Sequence, residues 1–181
     1  MNSYLSGVLV GDGCRYLAKN GAFSVWIDQN NRNLKILEKA KKILEDSGYK
    51  TYHYKIPDDK QRVLTYSKKL YIEFGNIREN LIEYFEKLPK KEKMEFISGF
   101  FDAEGTVTDR LVIYNSNREL LKSLKKFLEK LGIVCYIYRF GKIFGLQIYR
   151  KKSIEIFKKN IICIKLLFSV NKHRGLQGRN P

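Results

Sequence analysis

The chain has 181 residues and a formal net charge of +16, because 35 lysines and arginines outnumber 19 aspartates and glutamates. Hydrophobic residues make up 44% of the sequence and aromatic residues 13%, which is enough for a packed core and excludes a disordered polymer. No run approaches the roughly 18 apolar residues of a membrane span, and Cys14, Cys135 and Cys163 are too dispersed for a disulfide scaffold. We therefore expect a folded protein with free thiols and no membrane partner. We expect it inside the cell, in the cytoplasm or in an organelle of a eukaryotic host.

A weak internal repeat organises the predicted elements. Residues 4–13 (YLSGVLVGDG) and residues 96–105 (FISGFFDAEG) share one pattern: aromatic, aliphatic, Ser, Gly, mostly apolar positions, a small residue, a carboxylate and Gly. Asp12 and Glu104 occupy the same position in the two copies. Periodicity predicts that each copy is a helix, followed in the same order by two strands, a helix, two strands and a helix.

The predicted elements of the first copy are strands at 14–19 and 22–28 around the Asn20-Gly21 turn, a helix that ends near Gly48, strands at 50–56 and 62–74, and a helix at 76–88. The second copy contains strands at 106–109 and 111–115, a helix at 118–131, strands at 134–140 and 143–150, and a helix at 153–160. The fold class is therefore α+β, a duplicated αββαββα. We assign residues 1–88 to the first half and residues 94–181, with a basic tail, to the second. Residues 89–93 form the linker, where Pro89 and a charge run interrupt the helical pattern.

The repeated decapeptide contains small residues four apart, Gly7 and Gly11 in one copy and Gly99 and Ala103 in the other. Small residues at this spacing lie on one helix face and let two backbones approach closely. Glycine inside a helix costs roughly 1 kcal/mol relative to alanine, a cost that tight helix packing would offset. If the two repeat helices pack together, Asp12 and Glu104 lie side by side at the same end.

Two carboxylates at helix C-termini are electrostatically unfavourable, because the helix end is partly negative and the acids repel each other. Divalent cations would reverse both penalties. The carboxylates, together with the backbone carbonyls of Gly11 and Ala103, are hard oxygen ligands that suit Mg²⁺, with Mn²⁺ able to substitute. A metal pair facing a basic surface could activate water for phosphodiester hydrolysis. Two core helices capped by glycine would explain one copy, but two equivalent copies favour the metal site.

The segments 5–13 and 97–105 resemble the paired motifs of the LAGLIDADG homing endonucleases, in particular the single-chain, two-motif, intron-encoded archaeal type. The order of elements extends the resemblance to about residue 160. It implies two saddle-shaped antiparallel sheets over the DNA major groove, with the motif helices packed at the centre. It also implies a monomer that cleaves both strands of a long double-stranded DNA site across the minor groove, with Mg²⁺, leaving 3′ overhangs. Val10 departs from the acidic motif position that Asp102 fills in the second copy, but that position is not a metal ligand.

The resemblance implies that Asp12 and Glu104 are the catalytic metal ligands, with the carbonyls of Gly11 and Ala103 as backbone ligands. Gln29 and Asn115, at equivalent strand ends, are candidates for ordering water or phosphate. Arginine and glutamine can read base edges, whereas lysine mostly contacts phosphate. The candidate DNA contacts, each of which could equally be an exposed strand residue, are Arg15, Lys19, Arg32, Lys55, Lys68, Lys69, Arg139, Lys142, Gln147, Arg150 and Lys151.

The strong positive charge fits a polyanionic partner, most commonly nucleic acid, but a lysine-rich surface would give the same composition. Two alternatives to a DNA endonuclease share the scaffold: an RNA-binding maturase that assists intron splicing, and a catalytically silent DNA-binding protein. The retained acids favour cleavage, because binding alone does not require them.

Overall fold

A computed structural model describes residues 1–167, and the predicted basic tail lies outside these residues. The chain divides into two compact units, Met1–Ala103 (unit 1) and Glu104–Pro181 (unit 2). In chain order the helices and strands are α1 (Ser3–Asp12), β1 (Gly13–Leu17), β2 (Phe23–Asn30), a 3₁₀ turn (Asn31–Asn33), α2 (Leu34–Asp46), β3 (Thr51–Ile56), β4 (Lys60–Tyr66), α3 (Lys68–Glu79), α4 (Leu81–Lys87), α5 (Lys90–Glu104), β5 (Gly105–Val107), β6 (Leu111–Asn115), α6 (Arg118–Lys130), β7 (Tyr136–Phe140), β8 (Ile143–Ile148) and α7 (Lys151–Asn160).

Each unit contains a four-stranded antiparallel sheet, and the two sheets have the same topology. The strand order is β1-β2-β4-β3 in unit 1 and β5-β6-β8-β7 in unit 2. The predicted α+β class and the duplicated αββαββα order are therefore confirmed. None of the helices within residues 1–167 is long and apolar enough to cross a membrane.

Alternation along the strands divides each sheet into a covered face and an open face. In unit 1, Val25, Ile27 and Val63 share a buried face that packs on the helices. The intervening residues, including Trp26, Asp28 and Arg62, lie on the opposite face, which we call the open face of unit 1. In unit 2, the buried residues Leu111, Ile113, Leu146 and Ile148 mark the covered face in the same way.

The sequence prediction was wrong between residues 67 and 88. A strand was predicted to reach residue 74, but β4 ends at Tyr66 and α3 begins at Lys68. The Ser67 hydroxyl accepts a hydrogen bond from the Leu70 N–H at 3.1 Å and caps the helix. Leu70, Phe74 and Ile77 are buried at helical spacing, and this burial outweighs the strand preference of the aromatic residues between them. The predicted helix at 76–88 is consequently the end of α3 followed by α4.

The predicted linker is also mostly helical. Helix α5 begins at Lys90, so residues 90–93 form its first turn. The Pro89 carbonyl accepts a hydrogen bond from the Lys93 N–H at 2.9 Å, and proline is well tolerated at the start of a helix because no amide hydrogen is needed there. Pro89 therefore directly precedes α5. The boundaries of the halves themselves stay a prediction.

Within unit 1, helices α1 and α5 touch through their backbones at Gly7 and Gly99. A Cβ atom on Gly7 would lie 2.1 Å from the Phe96 carbonyl oxygen, and one on Gly99 would lie 2.0 Å from the Tyr4 carbonyl oxygen. Only hydrogen fits at either position. The Tyr4 hydroxyl adds a hydrogen bond of 2.9 Å to the fully buried Asp102 carboxylate. The structure therefore places Gly7 and Gly99 in the contact that the sequence predicts, whereas the roles of Gly11 and Ala103 stay predictions.

We expect Gly7→Ala and Gly99→Ala each to lower the free energy of unfolding by about 2 kcal/mol or more, because the added methyl group meets rigid backbone. Urea denaturation would measure the loss. The matched control is Gly75→Ala in α3, where the nearest atom is the tip of the flexible Arg15 side chain. That side chain can move, and alanine favours the helix by roughly 1 kcal/mol. A loss at Gly7 and Gly99 no larger than at Gly75 would contradict the backbone contact.

Candidate functional site

In unit 1, the acid at the end of the motif helix is held by a buried glutamine. Asp12 is the last residue of α1 and is half-buried. Gln29 on β2 is 4% exposed, and its Nε2 donates a hydrogen bond to Asp12 Oδ2. The other end of the Gln29 amide is also fixed, because Oε1 accepts a hydrogen bond from Asn33 Nδ2 at 3.1 Å. Asn33 therefore selects the amide orientation that presents an N–H to the acid.

In unit 2, the equivalent acid has an equivalent partner. Glu104 is the last residue of α5 and is half-buried. Asn115 Nδ2 donates to Glu104 Oε1 at 3.3 Å, while Asn115 Oδ1 accepts from the Asn117 N–H at 2.9 Å. The Asn117 side chain in turn caps α6 by accepting from the Leu120 N–H. The start of α6 thus orients the amide beside Glu104.

Both amides reach their acids because the strands pair in the same register. Gly13 lies opposite Ile27, and Gly105 lies opposite Ile113, so Gln29 and Asn115 each stand two residues beyond that pair on the same face. The side-chain lengths compensate: a short aspartate meets a long glutamine, and a long glutamate meets a short asparagine. An amide donor orients a carboxylate without adding a charge beside it.

The donor set suits a hard divalent cation. At each helix end, carboxylate oxygens lie next to backbone carbonyls in the chain, and Mg²⁺ prefers oxygen ligands. Within residues 1–167, no group of three or more His, Cys, Asp or Glu side chains could jointly hold a metal ion. Mg²⁺ commonly binds through one or two carboxylates and completes its shell with water and substrate phosphate. The oxygen donors at each helix end are therefore of the type that a hard divalent cation accepts.

Several predicted DNA contacts are exposed cations in loops or at element ends. Lys19 lies in the turn between β1 and β2, and Arg32 lies in the 3₁₀ turn, next to the Asn33 that orients Gln29. Lys142 lies in the turn between β7 and β8, and Arg150 precedes Lys151, the first residue of α7. These placements keep the residues available to a ligand, and their contact with DNA stays a prediction.

Arg15, another candidate DNA contact, packs its side chain on α3, and its contact with DNA stays a prediction. Arg15 lies opposite Val25 and so faces the helices. Its Nη2 binds Glu79 Oε1 at 3.0 Å, and its guanidinium lies 4.9 Å from the Tyr71 ring centre. A Cβ on Gly75 would collide with it, so this glycine makes room for the arginine. Sequence alternation could not assign the face, because β1 mixes polar and apolar residues on both sides.

Lysines 55, 68 and 69, three further candidate DNA contacts, lie in different parts of unit 1, and their contact with DNA stays a prediction. Lys55 lies opposite Gln61 and thus on the Val63 side of the sheet, although it is exposed. Lys69 and Asn2 line a cleft of about 290 Å³. Asn2 caps the N-terminus of α1, which is roughly 15 Å from Asp12 at the C-terminus of the same helix. Lys68 lies 5.7 Å from the ring of Phe23, the first residue of β2, whereas Gln29 is near the end of that strand. None of the three lies beside the Asp12 carboxylate.

The candidate DNA contacts of unit 2 lie at the two ends of one hairpin. Arg139 and Lys142 lie at the β7–β8 turn, whereas Arg150 and Lys151 follow the other end of β8, roughly 20 Å away. Arg139 lies opposite Phe144, on the face covered by α6. Gln147 lies opposite Val112 and Tyr136 on the other face, so register separates it from Arg139.

The sequence prediction missed the main feature of the open faces, which is their exposed aromatic side chains. In unit 1 these are Tyr16, Tyr52, Tyr54 and Tyr66, each at least 41% exposed. In unit 2, the exposed rings of Tyr136 and Tyr149 stack with their centres 5.6 Å apart. Tyr138 is half-buried on the same face, and its burial together with a hydrogen bond to Tyr114 raises the pKa of Tyr138 to about 12. Tyrosines in strands are more often part of the core or of cross-strand packing. The alternation of Leu64 and Tyr66 with the buried Val63 and Thr65 is the signal that could have identified the open face.

The prediction also missed Arg62, which forms a bidentate ion pair with Asp28 on the open face of unit 1. Arg62 Nε and Nη2 donate to the two Asp28 oxygens at 2.6 and 2.7 Å. These hydrogen bonds, with the charge of Asp28, raise the pKa of Arg62 further above its ordinary value. The guanidinium lies 4.8 Å from the Trp26 ring centre.

Comparison with known proteins gives related chains. The LAGLIDADG-like domain family matches residues 91–162. Homing endonuclease I-DmoI from Desulfurococcus mucosus is 30% identical over 142 residues, which cover 74% of this chain and 71% of that protein. An uncharacterized protein from Methanocaldococcus jannaschii is 29% identical over 195 residues, covering 95% of this chain and 68% of that protein.

The chain also superposes on solved structures. An I-DmoI variant in complex with its target DNA in the presence of manganese superposes with a TM-score of 0.74 and 26% identity, covering 89% of this chain and 92% of that one. The N-terminal LAGLIDADG domain of the WhiA protein superposes with a TM-score of 0.66 at 15% identity, covering 92% and 84% of the two chains. At that identity the WhiA similarity establishes the fold alone.

Removing the side chain of Arg15 should destabilise the protein. We expect Arg15→Ala to lower the free energy of unfolding by about 1 kcal/mol, because it removes the Glu79 ion pair, the contact with Tyr71 and the packing over Gly75. Lys19→Ala, which removes an exposed cation from the adjacent turn, should stay within about 0.5 kcal/mol of wild type. Urea denaturation compares the two variants, and equal effects would refute the packing role of Arg15.

Proposed function

This chain belongs to the LAGLIDADG homing endonuclease family, and we propose that it is a site-specific endonuclease that cuts both strands of double-stranded DNA. The observation that carries the proposal is that each of two helix-terminal carboxylates, Asp12 and Glu104, accepts a hydrogen bond from an amide at the same register position of its own unit. A protein that only bound DNA would need neither the acids nor their partners.

We further propose that Asp12 and Glu104 act as ligands for divalent cations, with Mg²⁺ as the natural metal and Mn²⁺ able to substitute. The carbonyls of Gly11 and Ala103 would add oxygen ligands next to them in the chain. Support comes from the oxygen-rich donor set and from structures of I-DmoI with DNA and manganese and of an I-DmoI variant with its target DNA and magnesium. When bound, such a cation lowers the pKa of a coordinated water and offsets negative charge on the phosphate.

The protein side chains supply position and charge. Gln29 and Asn115 hold the carboxylates by hydrogen bonds from amide groups that carry no charge of their own. The net charge of +16 attracts the DNA backbone over long distances, and exposed cations such as Lys19, Arg32, Lys142 and Lys151 would contact phosphates. From the family resemblance we also propose that the two strands are cut across the minor groove and that the DNA products carry 3′ overhangs.

We propose that the protein acts as a monomer, because one chain carries both copies of the motif. We also propose that it acts inside the cell, where thiols stay reduced and where its DNA substrate is found. The substrate class is a long double-stranded DNA site. Binding of intron RNA has less support than binding of DNA, and the experiment below would detect it.

Replacement of either acid should abolish double-strand cleavage. We expect Asp12→Asn and Glu104→Gln to remove all Mg²⁺-dependent linear product and to change DNA affinity by less than about threefold, since both substitutions keep the side-chain size but weaken metal binding. The assay is cleavage of a plasmid library of randomised long sites, with Mg²⁺ or with EDTA.

Wild type should give defined cuts with Mg²⁺ and none with EDTA. Mg²⁺-dependent cutting by both variants would overturn the site assignment. Tight DNA binding by wild type without any cleavage would instead favour a catalytically silent binder, and tight binding of intron RNA alone would favour a maturase.

The compensating side-chain lengths give a separate test of the amide partners. Gln29→Asn shortens the amide by one methylene, so it should lose contact with Asp12 and slow single-turnover cleavage by about tenfold to a hundredfold. Adding Asp12→Glu recreates the Glu–Asn pair of unit 2 and should recover part of the lost rate.

Unfolding free energies of the single and double variants serve as the control for folding. A double variant that cleaves no faster than Gln29→Asn would show that Gln29 does not act by positioning the acid.

A further inference from the structure

The Asp28–Arg62 pair lies in a row that crosses three strands of the open face of unit 1. Asp28 on β2 lies opposite Arg62 on β4, which lies opposite Tyr54 on β3. The side chains of Asp28 and Arg62 are each 27% exposed, so both remain accessible from solvent. None of the three belongs to the network around Asp12.

Arg62 is fixed before any ligand binds. The bidentate pair sets the plane of the guanidinium, and the Trp26 ring lies 4.8 Å away. A free arginine side chain loses rotamer entropy when it is immobilised, and here part of that cost is already met in the unbound protein. Asp28 binds Nε and one hydrogen of Nη2, and the Tyr54 hydroxyl also interacts with the guanidinium. Arg62 has five N–H groups, so further N–H groups remain beyond those that Asp28 and Tyr54 use.

The ion pair is a poor phosphate ligand. Asp28 neutralises the charge of Arg62, and its own carboxylate repels phosphate oxygens. In a protein with a net charge of +16, a neutral pair adds little to general attraction of DNA. An exposed ion pair also contributes little to folding stability. The directional N–H groups are therefore the chemically useful part of this arrangement.

The geometry points to Arg62 as a guanine-reading side chain of unit 1, with Asp28 as its positioning residue. Two parallel N–H groups of arginine match O6 and N7 of guanine in the major groove, where this is the commonest specific contact. The inference rests on the proposed function, because it requires the open face of unit 1 to meet the major groove of the target.

The test is selection of binding sites by full-length protein from a pool of randomised DNA duplexes, with EDTA present so that bound DNA is not cut. Wild type should enrich a long motif that contains a strongly preferred guanine at the Arg62 position. Arg62→Lys keeps the charge but cannot make the paired contact, so the preference for that guanine should fall about tenfold or more while the other positions keep theirs. Asp28→Asn should weaken the same position by a smaller factor.

Lys60→Ala is the matched control, because Lys60 lies two residues from Arg62 on the same face of β4. It should lower affinity for all sequences together and leave the guanine preference unchanged. Thermal unfolding of each variant checks that folding is retained.

A wild-type motif that persists unchanged in Arg62→Lys would overturn the guanine contact and leave the proposed function intact. Equal loss of preference at every position would likewise overturn it and assign the pair to folding. Failure of wild type to enrich any sequence would refute site-specific DNA recognition, and the guanine contact with it.

Discussion

At Gly7 and Gly99 the backbones of α1 and α5 meet with no side chain between them. This contact determines how the two helices lie against each other within unit 1. Asp12 lies five residues beyond Gly7 on the same rigid helix, so the position of the carboxylate is determined by the contact of the helices. Backbone atoms cannot change rotamer, and the helices therefore have little freedom to slide. The buried hydrogen bond from Tyr4 to Asp102 reinforces the same contact.

The second constraint is that each acid joins a helix directly to a strand. Asp12 ends α1 and Gly13 begins β1, while Glu104 ends α5 and Gly105 begins β5. No loop intervenes, so the sheet register and the helix position both determine where the carboxylate lies. The amide partner on the adjacent strand is then placed by the same register. A functional group that rests on a helix and a sheet is held more accurately than one on a loop.

The sequence allowed the fold class and the acids to be predicted because both depend on short, repeated, local signals. The alignment of the segments around Gln29 and Asn115 was sufficient to nominate the two amides, which the structure places against Asp12 and Glu104. Helix α3 was missed because Tyr71, Ile72 and Phe74 favour strands locally, while burial of Leu70, Phe74 and Ile77 depends on tertiary packing. The face on which Arg15 lies could not be predicted for a similar reason, since only the pairing with Val25 reveals it.

Register also separates two kinds of positive charge that composition cannot distinguish. Lys19, Arg32, Lys142 and Lys151 are exposed cations in turns or at element ends, where charge acts on any polyanion at a distance. Arg62 is neutralised by Asp28 and held beside Trp26 within a sheet, so it contributes direction in place of net charge. Phosphate contacts position a protein on DNA, whereas base contacts specify the sequence. In the proposed function, the excess of lysine would account for affinity, and selectivity would come from the few side chains whose geometry is fixed in advance.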